Sequence, residues 1–124
     1  MLEVKNVRCG YDNNEIIKGV SFNVEPGSNL CIVGPNGCGK STLLKSIANL
    51  LNYKGSILLN GKEISKFNRK DLAKNIALMS QASSIYFPYT VYETVSLGRY
   101  AHLKGVFSRM SKSDEEIIIK SIEN

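Results

Sequence analysis

The chain has 124 residues, of which 43% are hydrophobic and 22% are charged, a composition typical of one soluble globular domain. No apolar run approaches the roughly 18 residues of a membrane span, and the start of the chain lacks a signal-peptide pattern, so we expect a cytoplasmic location. The net charge of +5 favours anionic partners, but no dense Lys/Arg block with interleaved aromatic residues is present, so we expect no nucleic-acid binding.

Two predicted strands open the chain. Residues 1–8 and 16–24 alternate apolar and polar side chains, and the polar residues 10–15 between them are typical of a turn. Tyr11 lies in this turn. Its ring could stack on an adenine base or merely cover the hairpin, and the residues alone favour the second role by about two to one.

A phosphate-binding loop follows at residues 34–41, which match the Walker A pattern G-x-x-x-x-G-K-[ST]. Glycines let backbone N–H groups point inward at phosphate oxygens, and the next helix adds its positive N-terminal end. Lys40 supplies a charge for the outer phosphates, and the Ser41 hydroxyl suits a Mg²⁺ ligand. The apolar run 29–33 predicts a buried parallel strand before the loop, and residues 43–51 have helical spacing after it.

The chain has an odd number of cysteines, Cys9, Cys31 and Cys38, and no two of them have the spacing of metal ligands. We therefore expect neither a disulfide framework nor a zinc site. Cys31 lies in the apolar run and is expected to be a buried small hydrophobe. Cys38 lies inside the phosphate loop, where it is either a reactive thiol near a helix N-terminus or a small residue that fits, and the second is favoured.

The second half of the chain alternates between strand and helix patterns. Residues 56–59 predict a strand that ends in the Asn-Gly turn at 60–61, and 71–75 predict a short helix with Asn68 near its N-terminal cap. The run 76–79 predicts a second buried parallel strand, and Gln81 follows it at the end where α/β sheets bind ligands.

Two capping boxes are predicted near the end of the chain. Thr90 and Glu93 predict a helix over 91–97 with Gly98 at its C-terminus. Ser113 and Glu116 predict a second helix through the isoleucines of 117–122.

Taken in order, Tyr11, the phosphate loop and Gln81 resemble the nucleotide-binding domain of the ABC transporter family, over its N-terminal part. The resemblance implies an α/β fold in which residues 1–124 form a P-loop NTPase core of the ABC ATPase type, with an N-terminal antiparallel β subdomain. In the family the aromatic residue stacks on adenine, which reverses the odds for Tyr11. The family's Q-loop glutamine matches Gln81, so the resemblance implies that Gln81 contacts Mg²⁺ and the attacking water and senses the transmembrane partner. The implied cofactors are ATP and Mg²⁺, with Lys40 and Gln81 catalytic, Ser41 and Gln81 at the metal, and Tyr11, Asn36, Gly37, Cys38, Gly39, Lys40, Ser41 and Thr42 at the nucleotide.

The stretches 86–93 and 97–103 resemble importers for iron–siderophore, haem and cobalamin. That likeness implies an ATPase subunit that docks on transmembrane permease subunits, at the inner face of the cell membrane, and pairs head to tail with a second copy.

Several family motifs do not occur in these 124 residues, namely the L-S-G-G-Q signature, a Walker B strand that ends in Asp-Glu, and the switch histidine; His102 precedes the place of the signature. We therefore expect this chain alone to bind ATP at most. The alternatives are a non-catalytic nucleotide-binding fragment or regulator that docks on a transporter, and a non-transport ABC ATPase.

Without a Walker B strand the runs 30–33 and 76–79 would each have an unpaired edge, so we also expect marginal stability or aggregation.

Overall fold

A four-stranded antiparallel sheet forms the centre of the computed structural model, which describes residues 1–12, 14–79, 88–103 and 109–123. The strands are β1 (Leu2–Tyr11), β2 (Asn14–Val24), β3 (Tyr53–Leu59) and β4 (Lys62–Glu63), in the order β2-β1-β3-β4. The two opening strands and the strand before the Asn-Gly turn are therefore confirmed. That turn has positive φ at Asn60 and Gly61, as a two-residue hairpin loop requires.

Within the described residues, four α-helices accompany the sheet: α1 (Lys40–Ile47), α2 (Arg69–Ala73), α3 (Val91–Leu97) and α4 (Lys112–Glu123). Two short 3₁₀ helices, Ile64–Lys66 and Tyr100–His102, precede α2 and follow α3. The Asn68 side chain accepts a hydrogen bond from the Asp71 N–H at 2.8 Å, which confirms the predicted cap of α2.

The core lies between one face of the sheet and helix α1. An irregularity in β1 lets both Val4 and Val7 point into it, although a regular strand would place them on opposite faces. Asn6, with φ 47°, lies within this irregularity, and its N–H donates to Ser21 Oγ at 2.8 Å. The buried cluster consists of Val4, Val7, Cys9, Ile17, Leu43, Ile47, Ile57, Ile64 and Leu72.

The two predicted parallel strands, 29–33 and 76–79, are not strands in this structure. Val33 is 84% exposed and Met79 is 95% exposed, and Cys31 is also exposed rather than buried. A parallel strand needs a neighbour with which to share its backbone hydrogen bonds. Among the described residues no strand pairs with either run, so apolar composition alone does not produce a ladder.

The first predicted capping box is confirmed and the second is wrong. Thr90 Oγ1 accepts from the Glu93 N–H, while the Glu93 carboxylate accepts from the Thr90 N–H. At α4 the reciprocal bonds join Ser111 and Asp114, two residues before the predicted pair, so the helix begins at Lys112.

Candidate functional site

The phosphate loop connects the irregular stretch after β2 to the first residue of α1. Gly37 and Gly39 have φ values of 81° and 102°, a region that side-chain-bearing residues rarely adopt, which explains glycine at both positions. The first intrahelical bond runs from the Leu43 N–H to the Gly39 carbonyl at 2.9 Å. Because the first N–H groups of a helix lack intrahelical acceptors, those of Lys40, Ser41 and Thr42 suit a phosphate.

Lys40 folds back over the loop that precedes it. Its ammonium group donates to the carbonyl oxygens of Gly34 at 2.7 Å and Pro35 at 2.8 Å, and it lies 3.8 Å from Cys38 Sγ. A fixed positive charge therefore lies at the inner edge of the loop, where an anion would meet it. No sequence pattern indicated that these carbonyls hold the side chain, because the motif specifies Lys40 but not its contacts.

The end of the loop packs directly against β2. A Cβ atom added to Gly39 would lie 2.7 Å from Ile16 Cγ2 and 2.8 Å from Ile17 Cδ1, both closer than real Cβ atoms approach their neighbours. The sequence did not predict this contact, because Gly39 lies more than 20 residues after Ile16 and Ile17 in the chain. It fixes the N-terminus of α1 against the sheet.

Tyr11 lies on the same hairpin, at its turn. It pairs with Asn14, and Ile17 pairs with Cys9 two residues earlier, so the turn and the contact with Gly39 lie at the same end of the sheet. The Tyr11 side chain is 42% exposed and is not part of the core. An exposed ring at this end of the sheet is compatible with base stacking.

Two further predicted residues lie on α1, and one lies outside the described residues. Ser41 is exposed beside Lys40, whereas Thr42 is buried and its carbonyl accepts from Ser46 Oγ at 3.1 Å. Gln81 falls in the stretch 80–87, outside the described part of the chain. The exposed Ser41 hydroxyl and the loop N–H groups are the donor and acceptor types that a Mg²⁺–polyphosphate needs.

The loop residues between the glycines are open to solvent: Pro35, Asn36 and Cys38 are exposed. A concavity of about 630 Å³ lies elsewhere, between the end of α1 and α2, and Leu50, Phe67, Leu72 and Ile76 contribute to its apolar walls. Asn49, Asn52 and Arg69 also line the concavity, but the first N–H groups of a helix and a held lysine lie together only at the loop, so the chemistry favours the loop.

The family model for ABC transporters matches residues 17–123, which is most of the chain. The chain belongs to the ABC transporter family. The iron(3+)-hydroxamate import ATP-binding protein of Bacillus subtilis is 36% identical over 98% of this chain and 45% of its own length. The hemin import ATP-binding protein of a Chelativorans species is 43% identical over 79% of this chain and 38% of its own length.

Solved ABC structures share the fold as well as the sequence. A bacterial Atm1-family ABC exporter with ATP bound superposes with a TM-score of 0.73 and 31% identity, over 90% of this chain and 18% of that one. These matches confirm the predicted family and the predicted α/β fold class of the ABC ATPase type. The chain spans less than half the length of the importer proteins that it matches.

Helices long and apolar enough to cross a membrane are absent from the residues that the structure describes. Within the same residues, no group of three or more His, Cys, Asp or Glu side chains is arranged to hold a metal ion.

Proposed function

We propose that this chain is the nucleotide-holding part of an ATP-binding subunit of an ABC importer for an iron–siderophore, haem or cobalamin type substrate. The observation that carries the proposal is the phosphate loop, with two left-handed glycines and Lys40 held over it. The similarity to iron-hydroxamate and hemin import proteins supports the substrate class.

Each predicted site residue has a specific task in this proposal. The N–H groups of residues 36–42 and the Lys40 ammonium bind the phosphates, Tyr11 stacks on adenine, and Ser41 with Gln81 holds Mg²⁺. When bound, the metal neutralises phosphate charge. The importer would pair head to tail with a second copy and dock on permease subunits at the inner face of the cell membrane.

ATP hydrolysis needs residues beyond those that bind the nucleotide. These 124 residues contain no Asp-Glu pair after a buried strand and no signature sequence, so the chain by itself binds ATP without hydrolysing it.

The test is the affinity of the chain for a fluorescent ATP analogue, measured by titration of wild type, Lys40→Ala and Lys45→Ala. Lys40→Ala removes a charge-assisted contact with phosphate, so binding should weaken by about 10- to 100-fold. Lys45 is an exposed lysine on the same helix and serves as the control for lost charge. Equal affinity of Lys40→Ala and wild type would overturn the assignment.

A further inference from the structure

A basic surface lies on the segment 62–74, which contains β4, the first 3₁₀ helix and α2. Five cations are exposed along it: Lys62, Lys66, Arg69, Lys70 and Lys74. Two apolar side chains of the segment, Ile64 and Leu72, are buried in the core cluster, and Phe67 packs against that cluster. Burial of these side chains anchors the segment to the domain, while its five cations stay exposed. We call the five cations the basic surface.

The two acidic residues of this segment, Glu63 and Asp71, neutralise only part of that charge. Glu63 is directed toward the sheet, where its carboxylate accepts hydrogen bonds from Tyr53 Oη at 2.9 Å, Ser56 Oγ at 2.6 Å and the Ile57 N–H at 2.9 Å. Asp71 forms an ion pair with Lys74 at 3.5 Å. The charge of Glu63 also acts on Lys66, so two carboxylates oppose five cations and the segment keeps an excess of three positive charges.

The position of the basic surface separates it from the phosphate loop. The loop packs against β2, which is one edge of the sheet, whereas the basic surface begins at β4, the opposite edge. A partner at the basic surface can therefore bind while a nucleotide occupies the loop.

The chemistry of the surface favours an anionic membrane over a nucleic acid. Phe67 is half-buried with the Lys62 ammonium 4.2 Å from its ring centroid, so this aromatic face is not free to stack on bases. Clusters of four to eight Lys or Arg residues are typical of surfaces that contact anionic lipids. No large apolar side chain is exposed within 62–74, so contact would be electrostatic, without insertion.

We propose that the basic surface contacts the anionic phospholipid headgroups of the membrane in which the transporter operates. This inference rests on the proposed importer function, which brings the chain to a membrane. Loss of one surface cation should weaken such contact about fivefold, so the surface adds to permease docking and does not replace it.

The test is flotation of the chain with lipid vesicles, which separates bound protein from any protein aggregates. Vesicles of phosphatidylcholine alone are compared with vesicles that contain about a third phosphatidylserine. We expect the chain to float with the anionic vesicles only, and the bound fraction to fall as salt rises from about 0.05 M to about 0.5 M.

Two triple variants distinguish an effect of this surface on vesicle binding from an effect of the protein's net charge. Lys66→Gln, Arg69→Gln and Lys74→Gln together should weaken vesicle binding on the order of a hundredfold. Lys18→Gln, Lys45→Gln and Lys54→Gln remove the same charge from other exposed positions and should retain most of the binding. All six side chains are exposed, and circular dichroism compares the fold of each variant with wild type.

Three results would overturn the inference. They are equal loss in both triple variants, failure of wild type to float with anionic vesicles at low salt, and binding to polyuridylate or polyglutamate through the basic surface without binding to vesicles. ATP affinity is measured in parallel. If the wild-type chain binds anionic vesicles but does not bind ATP, the proposed function is contradicted and the membrane contact is not.

Discussion

Gly39 links the predicted nucleotide site to the core of the domain. Its φ of 102° excludes most side chains, and its neighbours Ile16 and Ile17 leave no room for a methyl group. The motif requires glycine here for phosphate contact, and the structure adds packing as a second reason. A single position therefore determines both the shape of the loop and its attachment to β2.

Gly39→Ala should lower stability more than an alanine at a glycine in open space. The left-handed backbone costs about 1–2 kcal/mol, and the contacts with Ile16 and Ile17 add about 1–3 kcal/mol. Gly27→Ala is the control, because Gly27 has φ 76° but nothing lies within 4 Å of an added Cβ. Denaturant unfolding and ATP titration of both variants measure the difference. If the two variants behave alike in both assays, the packing role of Gly39 is wrong.

At the residue scale, the sequence predicts which side chains form the loop but not what holds them. Lys40 and Ser41 follow from the motif, since phosphate and Mg²⁺ chemistry restrict the residue types. The carbonyls of Gly34 and Pro35 that hold Lys40 belong to backbone, so composition carries no signal for them. The role of Gln81 stays a prediction, since this residue lies outside the described part of the chain.

Among the described residues, an ion pair joins Arg99, just after α3, to Asp114 in the first turn of α4. Arg99 donates through Nε and an Nη atom to Asp114 Oδ1 at 2.9 and 2.6 Å, and both side chains are largely buried. Asp114 also caps its own helix through Ser111, so a single carboxylate fixes both the start of α4 and its position beside α3. Hydrogen bonds from the Ser111 hydroxyl and N–H, followed by Arg99, lower the pKa of Asp114 to about 2.

This pKa predicts an acid-sensitive junction between the two helices. The carboxyl titrates near pH 3.9 in the unfolded chain and near pH 2 in the folded one, so its contribution is present above about pH 4. It is lost as the pH falls from about 4 to 2, because protonation removes the charge that Arg99 and Ser111 bind. We expect Asp114→Asn to be less stable than wild type at neutral pH, and the two stabilities to converge near pH 2.

Denaturant unfolding at a series of pH values measures this convergence. Glu115→Gln, at the exposed neighbouring position in the same first turn, is the matched control for loss of one carboxylate. A constant difference between Asp114→Asn and wild type across the acid range would contradict the role of the Asp114 charge.

The two helix starts show how far local patterns predict an element. Thr90 and Glu93 were predicted correctly, because one pair with capping-box spacing precedes that helix. Before α4, both Ser111–Asp114 and Ser113–Glu116 have such spacing. The contact with Arg99, fifteen residues away, favours the first pair, and nothing in the local pattern contains that contact.

The whole molecule exposes apolar side chains that a completed sheet would cover. Four of them lie in the runs before the phosphate loop and after α2, namely Leu30, Val33, Leu78 and Met79, of which Val33 is 84% and Met79 95% exposed. Helices α3 and α4 expose further apolar side chains. The sequence predicts strands in the two runs because they are apolar and short, but strand formation depends on partners that lie far away in the chain. The strands of the antiparallel sheet could be predicted, because each of them pairs with another strand inside residues 2–63.

This exposure predicts that the 124-residue chain self-associates as its concentration rises and unfolds at a lower temperature than ordinary small domains. Burial of one Met side chain between molecules is favourable by about 1.5–3 kcal/mol, so Met79→Lys should weaken association roughly tenfold or more. Ser113→Lys adds the same charge at an exposed site on α4 and should leave association nearly unchanged. Sedimentation velocity over a range of concentrations, with thermal unfolding followed by circular dichroism, measures both effects. The prediction is wrong if the wild-type chain stays monomeric and melts cooperatively at the temperature of ordinary small domains. The exposed runs would then cause neither self-association nor low stability.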